Sequence, residues 1–477
     1  MKKKFFEIKK HGKKIAIIQE GIADISYSEL SKISSKLDSD KKSRKKKLVF
    51  LVCKNNFETI AGYISFLRCK DCILLLPKDI LPNSLKYLIK LYRPDNIYLP
   101  KEMKKIFSKF ILKKKIGSYV LIQTNFKNNS EINKNLALLL TTSGSTGSPQ
   151  VVRLSYENII SNSNSISNFL KINSNDKAIT TLPMSYTYGL SIINSHLLKG
   201  STLVLTENSI FTRKFWELAR TKNITTFGGV PYTFEILKKI NFKKIKLPSI
   251  KYITQAGGKL NSELLNYFYN TAKSNNFKFI VMYGQTEATA RMSYLKWKNL
   301  KKKRQSIGKT IKGGSFNLLD ENNKKIIKNY THGELEYRGN NVCLGYANKR
   351  SDLSKGDENK KILKTGDIAF RDNQGFYYIT GRKKRFVKIF GFRVHLDEIE
   401  KIINSLGCIC ACSGNDEKIN IFLKRSDKIY ISKINKIIDK KIYPIKKRYE
   451  IILVKEIPRN ESGKVLYSLL NKKNEIK

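Results

Sequence analysis

Residues 138–155 read LLLTTSGSTGSPQVVRLS, a run of small hydroxylated residues and glycines between two apolar stretches. Gly144 and Gly147 permit a tight turn or positive φ, so successive backbone N–H groups can converge on an anion. Thr142, Ser143, Ser145, Thr146 and Ser148 add hydroxyl donors, which makes the loop a candidate phosphate cradle. Ser/Gly-rich loops are also common as plain turns, so this composition alone does not establish a site. The lysine expected of a phosphate loop is missing, because Gln150 stands in its place. Nor is there a Walker A loop: Gly308-Lys309-Thr310 is present, but Lys303 occupies the place of the required first glycine.

Other reactive side chains form no constellation. The four histidines, His11, His196, His332 and His395, show no spacing that suggests a triad and read as surface or packing residues. Of the seven cysteines, CKDC (69–72) has redox or zinc-like spacing without a second pair or a histidine at ligand distance. CICAC (408–412) places Cys408, Cys410 and Cys412 on one face of an expected strand. Both clusters read as buried thiols acting as small hydrophobes.

The elements that must hold the loop are legible around it. Apolar runs at 47–53, 72–77, 136–144, 201–207, 252–258 and 277–284 end in turn residues and read as buried strands. Segments 56–68, 211–222 and 260–275 read as helices between them, and the alternation predicts mostly parallel sheets flanked by helices. After about residue 310 the strands become shorter and Gly-punctuated (333–339, 367–372, 375–382), which predicts a β-rich subdomain. The basic run GRKKR (381–385) marks an expected boundary before a small α+β unit. The expected fold class is therefore α/β, with a large domain at 1–382 and a small one at 383–477.

Composition sets the outer limits. At 477 residues the chain is too long for one compact core. Lys plus Arg number 92 against 39 Asp plus Glu, a formal net charge of +53 that would attract any polyanion. The basic runs at 41–47, 301–305 and 440–447 are scattered, however, and Lys far outnumbers Arg. Base readout and bidentate phosphate contacts favour Arg, so the pattern argues for lysine drift over solvated faces rather than specific nucleic-acid binding. No apolar run approaches the roughly 18 residues of a membrane span. The N-terminal MKKKFFEIKKHGKK returns to charge before any signal-peptide core, so a cytoplasmic protein is expected.

Six further segments follow the first loop in order: LPMSYTYGL (182–190), YGQTEAT (283–289), GELEYRGNNVCLGY (333–346), KTGD (364–367), GRKKRFVKIFGFRVHLDEIE (381–400) and PRNESGKVLY (458–467). By this set and order, from about Leu138 to Tyr467, the chain resembles the AMP-forming adenylating enzymes: acyl-CoA synthetases, peptide-synthetase adenylation domains and beetle luciferase. The resemblance implies that a carboxylic acid is joined to the α-phosphate of ATP, with release of pyrophosphate and help from Mg²⁺. The acyl group then passes to a thiol, of coenzyme A or of a carrier protein's phosphopantetheine. A carboxylate is already ionised at neutral pH and needs no general base, which suits a chain without a histidine triad.

Position by position, the resemblance makes Ser143–Gly147 the pyrophosphate cradle, with Thr142 and Gly284 flanking the nucleotide. Tyr283 would stack on adenine, with Gly257 and Gly258 along its edge. Asp367 and Arg382 would grip the ribose hydroxyls, Thr286 would touch the α-phosphate, and Glu287 would hold the metal. Lys464, in ESGKV beside Pro458, Arg459, Ser462 and Gly463, would bridge the substrate carboxylate and the α-phosphate. The small domain is expected to swing about Lys384, and Lys388 with Gly391–Arg393 would face the site in the second pose.

Departures from the family pattern narrow the substrate. Gln150 and Val151 replace the usual Lys-Gly, with Arg153 as a conceivable substitute cation. Ser185 and Tyr186 replace the aromatic–His pair, and Thr187 stands where amino-acid-activating relatives carry an acidic residue. That argues against an α-amino acid. Tyr186, Tyr188, Gly229, Val230 and Tyr232 are expected to line an uncharged acyl or aryl pocket. The favoured reading is an acyl-CoA synthetase, and the alternative is a ligase that loads a carrier protein. Only thirteen residues follow Lys464, so such a carrier is expected on a separate chain. The rival from another class is a degenerate scaffold that binds polyanions.

Overall fold

The computed structural model describes residues 4–38, 45–107, 110–128, 130–142, 150–383, 385–389, 392–415, 417–441, 448–459 and 465–472. Its continuous apolar runs become central strands because both faces of their sheets are covered. Leu48–Cys53, buried along its whole length, pairs in parallel with Cys72–Pro77 on one side and Asn96–Pro100 on the other. Cys72–Pro77 pairs in parallel with Leu136–Thr142, which turns back antiparallel into Gln150–Ser155. Among the described residues this first sheet has eight strands, with Gly345–Ala347 at one edge and the hairpin Ile111–Ile116/Tyr119–Gln123 at the other.

A second sheet holds six parallel strands in the spatial order Ile15–Gln19, Thr202–Leu205, Lys177–Ile179, Thr226–Gly229, Tyr252–Gln255 and Lys278–Tyr283. Antiparallel Ser293–Leu295 and Lys309–Thr310 extend it beyond Tyr283. The single alternation read from the sequence is thus two sheets. Ile15–Gln19 joins the second by pairing with Thr202–Leu205, a partner too distant in sequence for any local pattern to show.

Helices fill the space between the sheets. Phe57–Arg68 is buried from Glu58 through Leu67, and Thr187–Lys199 is buried over nearly all its faces. They share one core with strands of both sheets, including Leu51, Leu75, Leu138, Leu203 and Leu205. Asn56 caps the first helix by accepting from the Thr59 amide at 3.1 Å, and Ser155 and Asn158 form a capping box on Tyr156–Phe169. Arg213–Thr221, Pro231–Lys239 and Ser262–Ser274 cover the outer face of the second sheet around Phe227, Phe234, Phe268 and Phe279. No helix among the described residues is long and apolar enough to cross a membrane.

Four antiparallel strands, Gly314–Leu319, Gly333–Gly339, Ile362–Arg371 and Tyr377–Arg382, form the β-rich part. Beyond them the hairpin Phe386–Ile389/Phe392–His395 leads into Leu396–Asn404. The strands Cys410–Gly414, Ile419–Lys424 and Tyr449–Val454 follow, with their own core of Ile399, Ile421, Ile434 and Ile438. Cys408, Cys410 and Cys412 lie in that core as buried free thiols. Arg385 ties this unit together through Asp397 and Glu400.

Candidate active site

The strand Lys278–Tyr283 ends at a carboxylate held from three directions. Tyr283 donates its hydroxyl to Oδ2 of Asp367, and Gln285 Nε2 reaches the same oxygen at 2.9 Å. Arg382 Nε donates to Oδ1 at 3.0 Å, across the paired residues Asp367 and Arg382 of adjacent strands. Asp367 is only 3% exposed, so these partners offset the cost of removing its charge from water. Burial and the neighbouring Asp367 push the Tyr283 phenol well above its ordinary value, and Asp367 raises that of Arg382. Both donors therefore stay protonated at neutral pH.

The chain next makes the turn 284–292, which puts chemistry-bearing residues on a rigid loop. Thr289 and Ala290 adopt φ of 51° and 90°, a left-handed conformation costly for residues with a Cβ. A Cβ at Gly284 would lie 1.6 Å from the Ala290 carbonyl oxygen, so only glycine fits there. Asn341 Nδ2 clamps the turn by donating to the carbonyls of Ala288 at 2.7 Å and Arg291 at 2.9 Å. Thr286 Oγ1 lies 3.0 Å from Thr187 Oγ1 at the start of Thr187–Lys199. Glu287 Oε1 accepts from the Tyr346 hydroxyl at 2.9 Å. No group of three or more His, Cys, Asp or Glu able to hold a metal gathers among the described residues. A single carboxylate suits a hard cation that completes its shell with phosphate oxygens and water.

The other wall is apolar in outline. Gly257, at φ of 85°, comes close to Tyr186 and Val230: a Cβ there would lie 2.7 Å from the Tyr186 hydroxyl and 3.0 Å from Val230 Cγ1. Gly258 backs onto Pro231, and Gly229 faces Thr233 and Phe234. Tyr188 is buried, donates to Thr254 Oγ1 at 2.8 Å, and has its phenol pushed up to about 12 by burial. Tyr232 lies at the surface with the Arg459 guanidinium 5.9 Å from its ring centre. The expected absence of charge is corrected here. The Arg291 guanidinium is buried and sits 4.0 Å from the centre of the Tyr188 ring. In a chain rich in basic residues it gives no signal of its own in the sequence, although it stands two positions after the YGQTEAT segment.

Arg153 is also corrected as a substitute cation for the phosphate loop. It is fully buried and donates to the carbonyls of Tyr346 at 3.0 Å, Lys355 at 2.6 Å and Leu344 at 2.9 Å, with Glu358 as its ion pair. Its guanidinium is committed to the strand that carries Tyr346, and so positions the residue that touches Glu287. Ser143, Gly144, Ser145, Thr146, Gly147, Lys384, Gly391, Ser462, Gly463 and Lys464 lie outside the described residues, as do the side chains of Thr142, Gln150, Lys388 and Arg393. On either side of the 143–149 segment, Thr142 pairs with Gln150 across the antiparallel strands Leu136–Thr142 and Gln150–Ser155. Sequence reasoning missed Gln285, Tyr346, Asn341 and Arg291, of which Gln285, Asn341 and Tyr346 lie inside segments already singled out.

Comparison with known proteins adds a lineage to this geometry. The AMP-binding enzyme family model matches residues 6–347, beginning well before the first motif. An oxalate–CoA ligase of Saccharomyces cerevisiae is 25% identical over 342 residues, covering 69% of this chain and 62% of that protein. A 2-succinylbenzoate–CoA ligase of Bacillus subtilis is 25% identical over 343 residues, covering 70% and 68%. In structure, the AMP complex of O-succinylbenzoate coenzyme A synthetase from Bacillus subtilis superposes with a TM-score of 0.78 at 20% identity, over 98% of both chains. ATP-bound MatB of Rhodopseudomonas palustris gives 0.80 at 19% identity, over 99% of both. At such identities the structural likeness is one of fold.

Proposed function

The chain belongs to the AMP-binding enzyme family, and from that membership we propose that it is an AMP-forming carboxylate ligase of the acyl-CoA synthetase type. A carboxylate oxygen of the acid attacks the α-phosphorus of ATP, the bond to the β-phosphate oxygen breaks, and pyrophosphate leaves. The sulfur of coenzyme A then attacks the acyl carbon as its thiol proton passes to water, and AMP leaves with the electrons of the acyl–oxygen bond. Neither step needs a base for the acid, so the task of the site is to hold two anions in line and offset their charge.

The observation that carries this reading is the convergence of Tyr283, Asp367 and Arg382 beside the turn bearing Thr286 and Glu287. Asp367 and Arg382 bind the ribose, and Tyr283 with Gly257 and Gly258 receives adenine. Thr142–Gly147 and Gly284 take the phosphates, and Thr286 contacts the α-phosphate. Glu287 would hold Mg²⁺, which supplies charge neutralisation on the phosphates. Lys464 brings the bridging cation from a mobile unit at 383–477, and Lys388 faces the site after that unit has turned. Tyr186, Tyr188, Gly229 and Val230 belong to the acyl side. Acid-dependent exchange of labelled pyrophosphate into ATP, followed by thioester formation with coenzyme A, tests the proposal. No exchange across a broad panel of acids with Mg·ATP overturns it.

A further inference from the structure

Arg291 is a cation without a carboxylate counter-ion among the described residues. It is 3% exposed, and its Nη1 donates to the Ala290 carbonyl at 2.9 Å. Its Nε and Nη2 are buried and have no hydrogen-bond partner among the described residues. These two nitrogens share one edge of the guanidinium, the edge whose parallel N–H groups match the two oxygens of a carboxylate. Burial lowers the guanidinium below its ordinary value, but arginine stays charged in proteins. An unpaired charge in such a place is costly unless something arrives to meet it.

A small cavity lies beside Arg291. Tyr188, Ser191, His196, Tyr252 and Met282 help to line it, and no Asp or Glu does. His196 Nδ1 is 2.8 Å from the Ile192 carbonyl and must therefore carry the proton, while Nε2 is buried without a partner. The nearest acid to this histidine in charge influence is Asp176, already paired with Lys251 at 2.7 Å. Thr187 touches Thr286, and the next residue, Tyr188, lines the cavity and stacks on Arg291. Two consecutive residues thus stand one at the Thr286 turn and the other at the cavity. The open space is small, with room for about one water, so the side chains around it must give way for a carboxylate to reach the arginine, and only a short acid would do so.

We infer that the substrate is a short dicarboxylic acid, activated at one carboxylate while the other pairs side-on with Nε and Nη2 of Arg291. This rests on the reading of the chain as a carboxylate ligase. The test compares acids of equal length in pyrophosphate exchange: malonate with propionate, succinate with butyrate, and glutarate with pentanoate. The expected result is a kcat/KM at least 100-fold higher for one diacid than for its monoacid. Arg291→Met is expected to lower kcat/KM for that diacid at least 100-fold, mainly through KM, and so to collapse the preference, while Arg291→Lys restores part of it. Exchange with monoacids and no preference for any diacid overturns the inference and leaves the ligase reading standing. An equal loss for both members of a pair in Arg291→Met also overturns it, since a merely structural arginine acts alike on both. Calorimetry of wild-type protein with the diacid and its monoacid, each beside AMP, does not depend on the variant's folding. Equal affinities there count against the inference, and failure of every acid to exchange removes both readings.

Discussion

The two walls of the cleft satisfy their buried polar groups in opposite ways. On the side proposed for the nucleotide Asp367 is buried, and Tyr283, Gln285 and Arg382 all point donors at it. On the acyl side Arg291 is as deeply buried, yet two of its three guanidinium nitrogens meet no acceptor among the described residues. A wall whose hydrogen bonds close within the protein is already shaped before any ligand arrives. A wall that leaves a charge open has delegated one partner to the ligand. On the proposed reading, the first arrangement would serve a nucleotide common to a whole family, and the second an acid that differs from one relative to the next.

The largest expected effect falls on neither wall. Lys464→Ala is expected to reduce pyrophosphate exchange by about 10²–10³-fold, the scale of losing one preorganised group on developing charge. ATP binding measured by calorimetry should stay nearly intact. Exchange at the wild-type rate would mean that a cation of one wall already serves the transition state, and the contrast drawn above would lose its basis. Next in size is Asp367→Asn, which leaves Arg382 facing a neutral amide. Hydrogen bonds to a charged group are worth about 1.5–3 kcal/mol, so KM for ATP should rise roughly ten- to a hundred-fold. The ranking of acids should not move. A changed ranking would show that the walls are coupled rather than separately built.

The residues that converge on Asp367 were more legible in the sequence than Arg291 for a physical reason. Tyr283, Thr286, Glu287, Asp367 and Arg382 lie in segments whose order along the chain carries meaning, and strand ends then place them. The runs at 47–53 and 72–77 were legible because strands covered on both faces read as unbroken apolar stretches, and they stand as Leu48–Cys53 and Cys72–Pro77. The burial of Arg291 follows from something no local pattern records. The turn after Gly284 doubles back, and Ser293–Leu295 pairs antiparallel with Val281–Tyr283, which carries the arginine under Thr187–Lys199. With a net charge of +53, one more arginine in the sequence gives no signal of its own. The same is true of Arg153, whose five-residue clamp on Leu344, Tyr346, Lys355, Gly356 and Glu358 exists only in three dimensions.

A smaller effect probes the phosphate loop. The cation expected there is absent from Gln150, and Arg153 is committed elsewhere. Gln150→Lys would add a charge next to the 143–149 segment, and an exposed ion pair is worth about 0.2–1 kcal/mol. KM for ATP should therefore fall no more than about five-fold, with diacid preference unchanged. An unaltered KM would show that the nucleotide wall is already complete without that lysine.

The smallest kinetic effect belongs to a buried charge on neither wall. Asp71 is 4% exposed, accepts from the Lys47 amide at 3.1 Å, and has its carboxyl raised to about 6, chiefly by burial. An aspartate in the unfolded chain titrates near 3.9, so between about pH 4 and about pH 6 the folded protein keeps a proton that the unfolded chain has lost. Stability therefore falls as pH rises through that window, by on the order of 2–3 kcal/mol at most. Asp71→Asn keeps an oxygen for the Lys47 amide and removes the titration. Urea midpoints at pH 4.5 and pH 7 should then lie closer together than in the wild type, with the variant gaining at pH 7. Kinetic constants for ATP and acids should stay within error, because Asp71 contacts neither wall. A shift in either constant would show that burial stress in the first sheet reaches the cleft, and that the two walls do not keep their differences to themselves.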